Sequence, residues 1–219
     1  MRKPWYLASI LLALLVGFAS GYGIDHQRWM VSLPSLTRYQ LNLLSSLQAR
    51  VVMMGDSITQ QGDWSKLLGQ VVANRGMSGD TAPRVLARVA SVPRSAEIVF
   101  VMVGVDDLNV AYHRPASDVA SDTRRIVEAL SPRKVVVQSV LLTTYPGLND
   151  AITELNNRNR AFCATGACRY LELNDLFSRG GLLRDDMTTD GVHLVRRAYP
   201  LWAARVKALA GARLRQAGV

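Results

Sequence analysis

The fold and the chemistry of this chain are both indicated by the segment Val51-Val52-Met53-Met54-Gly55-Asp56-Ser57-Ile58-Thr59. An apolar run of strand type ends there at a glycine, and a serine follows where the chain turns away. Far downstream, Asp190-Gly191-Val192-His193 places a carboxylate three residues before an imidazole. Serine is inert at neutral pH unless a base takes its proton, and an imidazole base works best when a carboxylate orients it. We therefore interpret Ser57, His193 and Asp190 as nucleophile, base and orienting carboxylate of one catalytic site.

Short apolar runs alternate with helical stretches from residue 50 onward. The strand candidates are 51–54, 71–74, 97–103, 134–141 and 170–173. The helix candidates are 64–68, 82–90, 118–130 with Ser117 as its N-cap, 150–164 and 194–216. Strands that are apolar throughout and separated by helices favour a parallel sheet covered on both faces. The sequence thus predicts an α/β fold, a three-layer α/β/α sandwich with a five-stranded parallel sheet and its ligand site at the carboxyl ends of the strands.

Three segments are expected along the chain. Residues 1–24 begin with Arg2 and Lys3 and then carry no charge, over a length that can just span about 30 Å of hydrocarbon. This pattern predicts export, either as a signal anchor or as a cleaved signal peptide, and the anchor is favoured because the cleavage site is imperfect. The anchor would cross the inner membrane once and leave the domain in the periplasm. Residues 25–49 are predicted as a linker and leading helix, and residues 50–219 as one domain.

The net charge of +9 comes from 26 Lys and Arg against 17 Asp and Glu. The excess is spread along the chain, and no compact basic run is interleaved with aromatic residues, so nucleic-acid binding is not expected. The final helix would carry either a solvated basic face or a face for anionic lipid headgroups. Attraction to an anionic surface therefore fits the charge better than a nucleic-acid partner does.

The chain has two cysteines, Cys163 and Cys168, on either side of a glycine. In an exported domain they would meet an oxidising compartment, so a local disulfide is predicted, with two free buried thiols as the alternative. A second Cys or His pair is lacking nearby. We therefore expect no metal site and no cofactor.

Two more glycine-bearing motifs follow strand candidates. Gly76-Met77-Ser78-Gly79-Asp80-Thr81 follows the second strand, and its glycines would let backbone N–H groups approach a ligand. Gly104-Val105-Asp106-Asp107 follows the third strand and brings two adjacent carboxylates, which would suit acid–base chemistry, metal binding or helix capping. Taken alone, each motif also fits a plain turn with a helix cap.

The four motifs that contain Ser57, Gly79, Asp106 and His193 occur in an order and context that resemble the SGNH/GDSL hydrolase family. The resemblance covers about residues 50 to 215. The resemblance implies an SGNH-type serine esterase or acylhydrolase that needs no cofactor. It implies Ser57 as nucleophile, His193 as general base and Asp190 as orienting carboxylate. It also implies an oxyanion hole formed by the N–H groups of Ser57 and Gly79 and by the side chain of residue 106.

The chain departs from the family pattern at Asp106, which stands where the pattern Gly-x-Asn-Asp has asparagine. Aspartate lacks the amide donor, and an ionised carboxylate puts negative charge beside a developing oxyanion. Three interpretations stay open. The oxyanion hole could be weakened, at a cost of about 100- to 1000-fold in turnover. Alternatively, a protonated Asp106 could donate a hydrogen bond, or Asn109 could supply the amide. Asp56, Asn109 and His113 are the candidates for substrate contacts.

The resulting prediction is an exported serine ester hydrolase that removes short acyl groups, such as acetyl, from envelope or exported glycan or from a related small ester. A thioesterase or lysophospholipase acting on acyl lipids is the second enzymatic hypothesis. A catalytically weakened glycan-binding protein and an acyltransferase also fit the sequence. The expected partners are the acyl ester substrate and, through the N-terminal helix, the membrane.

Overall fold

The computed structural model describes residues 46–109 and 112–214, with side chains to residue 209. The predicted signal anchor or signal peptide lies outside the described residues, as does nearly all of the linker predicted for 25–49. Within the described ranges, no helix is both long enough and apolar enough to cross a bilayer.

The elements alternate between strands and helices in the order β1-α1-α2-β2-α3-β3-α4-α5-β4-α6-β5-α7-β6-β7-α8. The strands are Val51–Gly55 (β1), Val72–Gly76 (β2), Ile98–Met102 (β3), Lys134–Gln138 (β4), Arg169–Leu171 (β5), Ser178–Arg179 (β6) and Leu182–Leu183 (β7). The helices are Ser57–Gln60 (α1), Trp64–Leu68 (α2), Ala82–Ala87 (α3), Val105–Leu108 (α4), Ala116–Ala129 (α5), Pro146–Phe162 (α6), Asn174–Phe177 (α7) and Tyr199–Leu214 (α8).

The first five strands form one parallel sheet in the order β2-β1-β3-β4-β5. All residues of β1, β2 and β3 are buried, because helices cover the sheet on both faces. Helix α5 contacts both α3 and α6 in one layer, while α2 contacts α8 in the other. The predicted α/β class with a five-stranded parallel sheet is therefore confirmed.

The helix starts differ from the prediction at three places. Ser117 is not an N-cap, since α5 already begins at Ala116 behind Pro115, whose φ of −58° suits the entry to a helix. Helix α6 begins at Pro146 rather than at residue 150, because proline is tolerated in the first helical turn, where its missing N–H costs no hydrogen bond. Helix α8 begins at Tyr199, after a 3₁₀ turn over Arg196–Ala198.

The predicted local disulfide is present between Cys163 and Cys168. It closes the turn that leads from α6 to β5, and Gly166 in that turn has a φ of 95°. The alternative of two free thiols is therefore wrong.

An aromatic cluster fastens the C-terminal helix to the sheet layer. The rings of Trp64 and Trp202 meet edge to face at 4.8 Å between centroids, and Tyr199 completes the cluster. Trp202 is fully buried, and its indole N–H donates to Gln138 Oε1 at 2.7 Å. Because one side chain supplies both apolar contact and a satisfied buried donor, Trp202 should dominate the attachment of α8.

The substitution Trp202→Ala is therefore expected to lower the free energy of unfolding by about 3 to 5 kcal/mol, the cost of emptying a large buried aromatic site. Urea unfolding followed by circular dichroism measures the change. The neighbouring Leu201 is 45% exposed on the same helix turn, so Leu201→Ala serves as the matched control and should change stability by no more than about 0.5 kcal/mol. Equal losses in the two variants would show that the cluster does not anchor the helix.

Candidate active site

Ser57 lies just beyond the carboxyl end of β1, as the first residue of α1. The strand ends at Gly55, where a Cβ atom would lie 2.1 Å from the carbonyl oxygen of Met102 on β3. Glycine is thus required for the close approach of the two strands. Asp56 then caps α1 by accepting the N–H of Ile58 at 3.0 Å, and the short helix holds Ser57 at the edge of the sheet.

The turn that carries His193 is built by Asp190. One carboxylate oxygen of Asp190 accepts the backbone N–H groups of Val192 and His193, at 2.9 and 2.8 Å. The other oxygen lies 2.7 Å from His193 Nδ1. Gly191 makes the turn possible with a φ of 85°, a left-handed conformation that favours glycine. The same side chain therefore shapes the loop and orients the imidazole.

Ser57 and His193 meet across 136 residues of sequence. Ser57 Oγ lies 2.8 Å from His193 Nε2. Together with the Asp190 contact, this forms an unbroken hydrogen-bonded series from hydroxyl to imidazole to carboxylate. The structure thus brings together the three residues that the sequence singled out, in the geometry that an activated serine requires.

Asp190 is held in its ionised form. Its partial burial acts to raise the pKa, but the backbone N–H groups of His193 and Val192 and the imidazole outweigh burial and lower the pKa of Asp190 to about 2. A carboxylate that stays ionised can stabilise a positively charged imidazole throughout the neutral and weakly acidic range.

The loop after β4 binds the turn at Asp190 and Gly191 through two hydrogen bonds. The N–H of Thr144 donates to the Gly191 carbonyl at 2.9 Å, and the Tyr145 hydroxyl donates to the Asp190 carbonyl at 2.8 Å. A Cβ atom on Gly191 would lie 2.3 Å from Thr144 Oγ1. The orientation of His193 therefore depends on contacts with the loop after β4 as well as on Asp190.

Arg88 joins three parts of the site, although no sequence motif includes it. Its guanidinium donates to the Gly55 carbonyl at 2.8 Å, to the Arg75 carbonyl at 2.6 Å and to Asp80 Oδ2 at 2.6 Å. It thereby ties the ends of β1 and β2 to the loop that contains Gly79, which has a φ of 76°. The sequence offers no signal for this role, because Arg88 is one of many dispersed basic residues.

Asp107 has a structural role. Its side chain is fully buried, accepts the N–H of Ala82 at 2.9 Å and pairs with Arg114 at 2.5 Å. Arg114 in turn pairs with Asp122 on α5 at 2.6 Å. These contacts fix α4 against the start of α3, so the interpretation of Asp107 as a helix cap and anchor is favoured over an acid–base role.

Asp106 has a different environment from its neighbour. Its Oδ2 atom is buried and has no hydrogen-bond partner among the described residues. Burial, followed by the charge of Asp107, raises the pKa of Asp106 to about 6, although His193 and Arg84 act in the opposite direction. A carboxyl that interacts electrostatically with His193 belongs to the same site.

Of the three candidates for substrate contacts, one is buried and two line a cavity. Asp56 is only 1% exposed and accepts a backbone N–H, so a substrate contact by Asp56 is not supported. Asn109 and His113 line a cavity of about 600 Å³ beside the site. The remaining lining residues are mostly apolar: Leu108, Tyr145, Pro146, Gly147, Leu148 and Val192. Among residues 46–109 and 112–209, no three His, Cys, Asp or Glu side chains are grouped so as to hold a metal ion.

Comparison with known protein families agrees with this geometry. The model of the GDSL-like Lipase/Acylhydrolase family matches residues 53–201, which is more than half of the chain and includes every residue of the hydrogen-bonded series. The chain belongs to this family. The resemblance inferred from the sequence motifs is therefore confirmed.

Individual members of the GDSL-like family show how far the similarity extends. The isoamyl acetate-hydrolyzing esterase 1 homolog of Rattus norvegicus is 28% identical over 151 residues, which cover 59% of this chain and 58% of the rat protein. This chain thus matches less than two thirds of the length of that relative.

Two solved structures share the fold. A GDSL-like lipase from Bacteroides thetaiotaomicron has a TM-score of 0.66 at 23% identity, with 81% of this chain and 97% of that chain covered. A lipase/acylhydrolase from Enterococcus faecalis has a TM-score of 0.64 at 19% identity, with 74% and 95% covered. At these identities the comparison establishes the fold.

The low pKa of Asp190 predicts a specific dependence of stability on pH. The folded-state pKa of about 2 lies below the value of about 3.9 for an unfolded aspartate, so the ionised form favours folding. This contribution is complete above about pH 4 and is lost as the pH falls toward 2. Urea unfolding between pH 6 and pH 2.5 should therefore show wild type and Asp190→Asn converging in stability on acidification.

Asparagine keeps an oxygen that can accept the two backbone N–H groups, so the comparison reports mainly on the charge. Asp150→Asn, an exposed substitution on α6, is the control for general charge effects. A stability difference between wild type and Asp190→Asn that stays constant over the whole range would contradict the proposed state of Asp190.

Proposed function

We propose that this protein is a serine ester hydrolase with Ser57, His193 and Asp190 as its catalytic triad. The observation that carries the proposal is the hydrogen-bonded series, with 2.8 Å from serine to imidazole and 2.7 Å from imidazole to carboxylate. Membership of the GDSL-like family and similarity to an esterase homologue from rat support the same reaction class.

The proposed reaction begins when Ser57 Oγ attacks the carbonyl carbon of the ester while His193 Nε2 takes the hydroxyl proton. The ionised Asp190 stabilises the imidazolium that forms. Collapse of the tetrahedral intermediate breaks the bond to the alcohol oxygen, which receives the proton from His193. Water then repeats the sequence on the acyl-enzyme, with His193 again as base, and releases the acid and the free serine.

The negative oxygen of the tetrahedral intermediate needs donors that are already in place. Ser57 is the first residue of a helix, so its N–H has no partner within the helix. Gly79 lies in the loop held by Arg88 and Arg84, since Arg84 donates to the Gly79 carbonyl at 3.0 Å. We assign the N–H groups of Ser57 and Gly79 to the oxyanion hole because backbone donors fixed in this way cost no reorganisation during the reaction.

The cavity beside the triad favours an apolar substrate. Val192, which precedes His193, and Leu108, which follows the Asp106-Asp107 pair, both line it. Its volume of about 600 Å³ lies in the range typical of ligand pockets, and such walls bind hydrocarbon better than the hydroxyl groups of a sugar. Within the proposal we therefore place an ester or thioester with an apolar acyl chain ahead of an acetylated glycan.

Replacement of the nucleophile tests the central assignment. Ser57→Ala should lower kcat by a factor on the order of 10⁴ to 10⁶, because the attacking oxygen is removed while the fold is kept. Hydrolysis of a chromogenic ester measures the rate, and a fluorophosphonate probe should label wild type but not the variant. Ser117→Ala, at an exposed serine on α5, is the matched control and should behave as wild type. Undiminished hydrolysis by Ser57→Ala would refute the triad.

Filling the cavity tests the substrate class. Gly147 lines the cavity, and a Cβ atom there would meet no other atom within 4 Å, so Gly147→Phe adds a ring without backbone conflict. We expect kcat/KM for an octanoyl ester to fall by about 10-fold or more, with little change for the acetyl ester of the same alcohol.

Two substrate series separate the roles of acid and alcohol: one varies acyl length with a constant alcohol, and the other varies the alcohol with constant acetate. Thr153→Phe places the same ring on the exposed side of α6 and should alter neither series. A wild-type preference for acetylated glycan over every apolar ester would instead favour the short-acyl hypothesis.

A further inference from the structure

Asp106 places a carboxyl group where an amide donor is expected beside the catalytic serine. The residue lies in the first turn of α4, at the carboxyl end of β3, where the family pattern has an amide donor. Its Oδ2 atom is buried without a hydrogen-bond partner in the described part of the chain. An ionised oxygen in that place would be desolvated and unpaired, which is costly, whereas a protonated carboxyl would present an O–H donor.

The charged groups that act on Asp106 come from five different parts of the site. They are Asp56 at the end of β1, Asp80 in the loop after β2, Arg84 on α3, Asp107 on α4 and His193 on the Asp190 turn. Three carboxyl groups thus act on Asp106, against one arginine and one imidazole.

The nearby cations are bound to other groups. Arg88 pairs with Asp80 at 2.6 Å, Arg114 pairs with Asp107 at 2.5 Å, and Arg84 donates to a backbone carbonyl. Within the described part of the chain, Oδ2 of Asp106 has no cation in bonding contact, so a proton is the natural way to neutralise the group. Burial, followed by the charge of Asp107, raises the pKa of Asp106 to about 6, which agrees with this view.

We propose that Asp106, in its protonated form, is the third donor of the oxyanion hole and confines full activity to weakly acidic conditions. This inference rests on the ester hydrolase function proposed above. The carboxyl O–H donates a hydrogen bond to the tetrahedral oxygen and keeps its proton, so no proton is transferred by Asp106 in the reaction. When Asp106 ionises, the donor is lost and a negative charge replaces it beside the developing oxyanion.

The test is the pH dependence of kcat/KM for phenyl acetate, followed by titration of the released acid from pH 5 to pH 9. Wild type should lose activity by about tenfold per pH unit above roughly pH 6, down to a residual level about 100- to 1000-fold lower. Asp106→Asn carries a donor at every pH, so this alkaline decline should disappear and the variant should exceed wild type by about 10-fold or more at pH 8.

Two further variants complete the comparison. Asp106→Ala should be weak at every pH and should also lack the alkaline decline, because it has neither a donor nor a charge. Asp118→Asn, an exposed aspartate on α5, is the matched control and should keep the wild-type profile. A purely structural role of Asp106 would change the level of activity in the variants without changing the shape of the profile.

A measurement on wild type covers the case in which the variants do not fold. The ¹³C signal of the Asp106 carboxyl should titrate with a midpoint near pH 6 in the folded protein. A midpoint in the ordinary range near 4, or superimposable pH profiles of wild type and Asp106→Asn, would overturn the role of Asp106 and leave the serine hydrolase standing. Absence of both hydrolysis and phosphonate labelling at every pH would overturn the two proposals together.

Discussion

Close packing at the end of β1 is the constraint on which the site depends. Gly55 lies so near β3 that a Cβ atom would overlap the Met102 carbonyl, and Gly76 at the end of β2 lies so near α1 that a Cβ atom would come within 2.3 Å of the Gln60 nitrogen. At both glycines, backbone atoms of a neighbouring element occupy the space that a Cβ atom would need. Because Ser57 is the first residue of α1, its position follows from backbone contacts. Backbone contacts of this kind are stiffer than those of a long side chain, as interiors are closely packed.

The carboxyl groups of the site differ in charge state because their surroundings differ. Asp190 is half exposed and accepts two backbone N–H groups, and its pKa is lowered to about 2. Asp106 has a buried oxygen without a donor, and its pKa is raised to about 6. Asp107, although adjacent to Asp106, is fixed by Arg114 and by the first turn of α3. One residue type therefore serves as an orienting anion, as a neutral acid in our proposal, and as a structural anchor.

Much of the fold and part of the site can be predicted from sequence because both leave local patterns. Buried parallel strands are apolar throughout, and the glycine-bearing motifs around Ser57, Gly79 and Asp106 follow strand ends, which meet at one edge of the sheet. The motif of His193 is recognisable from its own short spacing of carboxylate, glycine and imidazole. The role of Arg88 is not predictable in this way, since its three acceptors are brought together only by the folded sheet. The start of α5 differs from the prediction for a local reason, because Pro115 already provides the entry to the helix. Asp56 is a helix cap rather than a substrate contact because the fold buries it, and a Gly-Asp-Ser tripeptide does not reveal burial.

The two titrating carboxyls define the conditions in which the site is complete. Between about pH 2 and pH 6, Asp190 is ionised while Asp106 carries its proton, so the orienting anion and the acid donor coexist. The imidazole must also be neutral to accept the serine proton. An asparagine at residue 106 would remove the upper limit, since an amide donates at any pH. A carboxyl in place of an amide at residue 106 thus makes the third donor of the oxyanion hole dependent on pH. The backbone donors of Ser57 and Gly79 are the same in both cases.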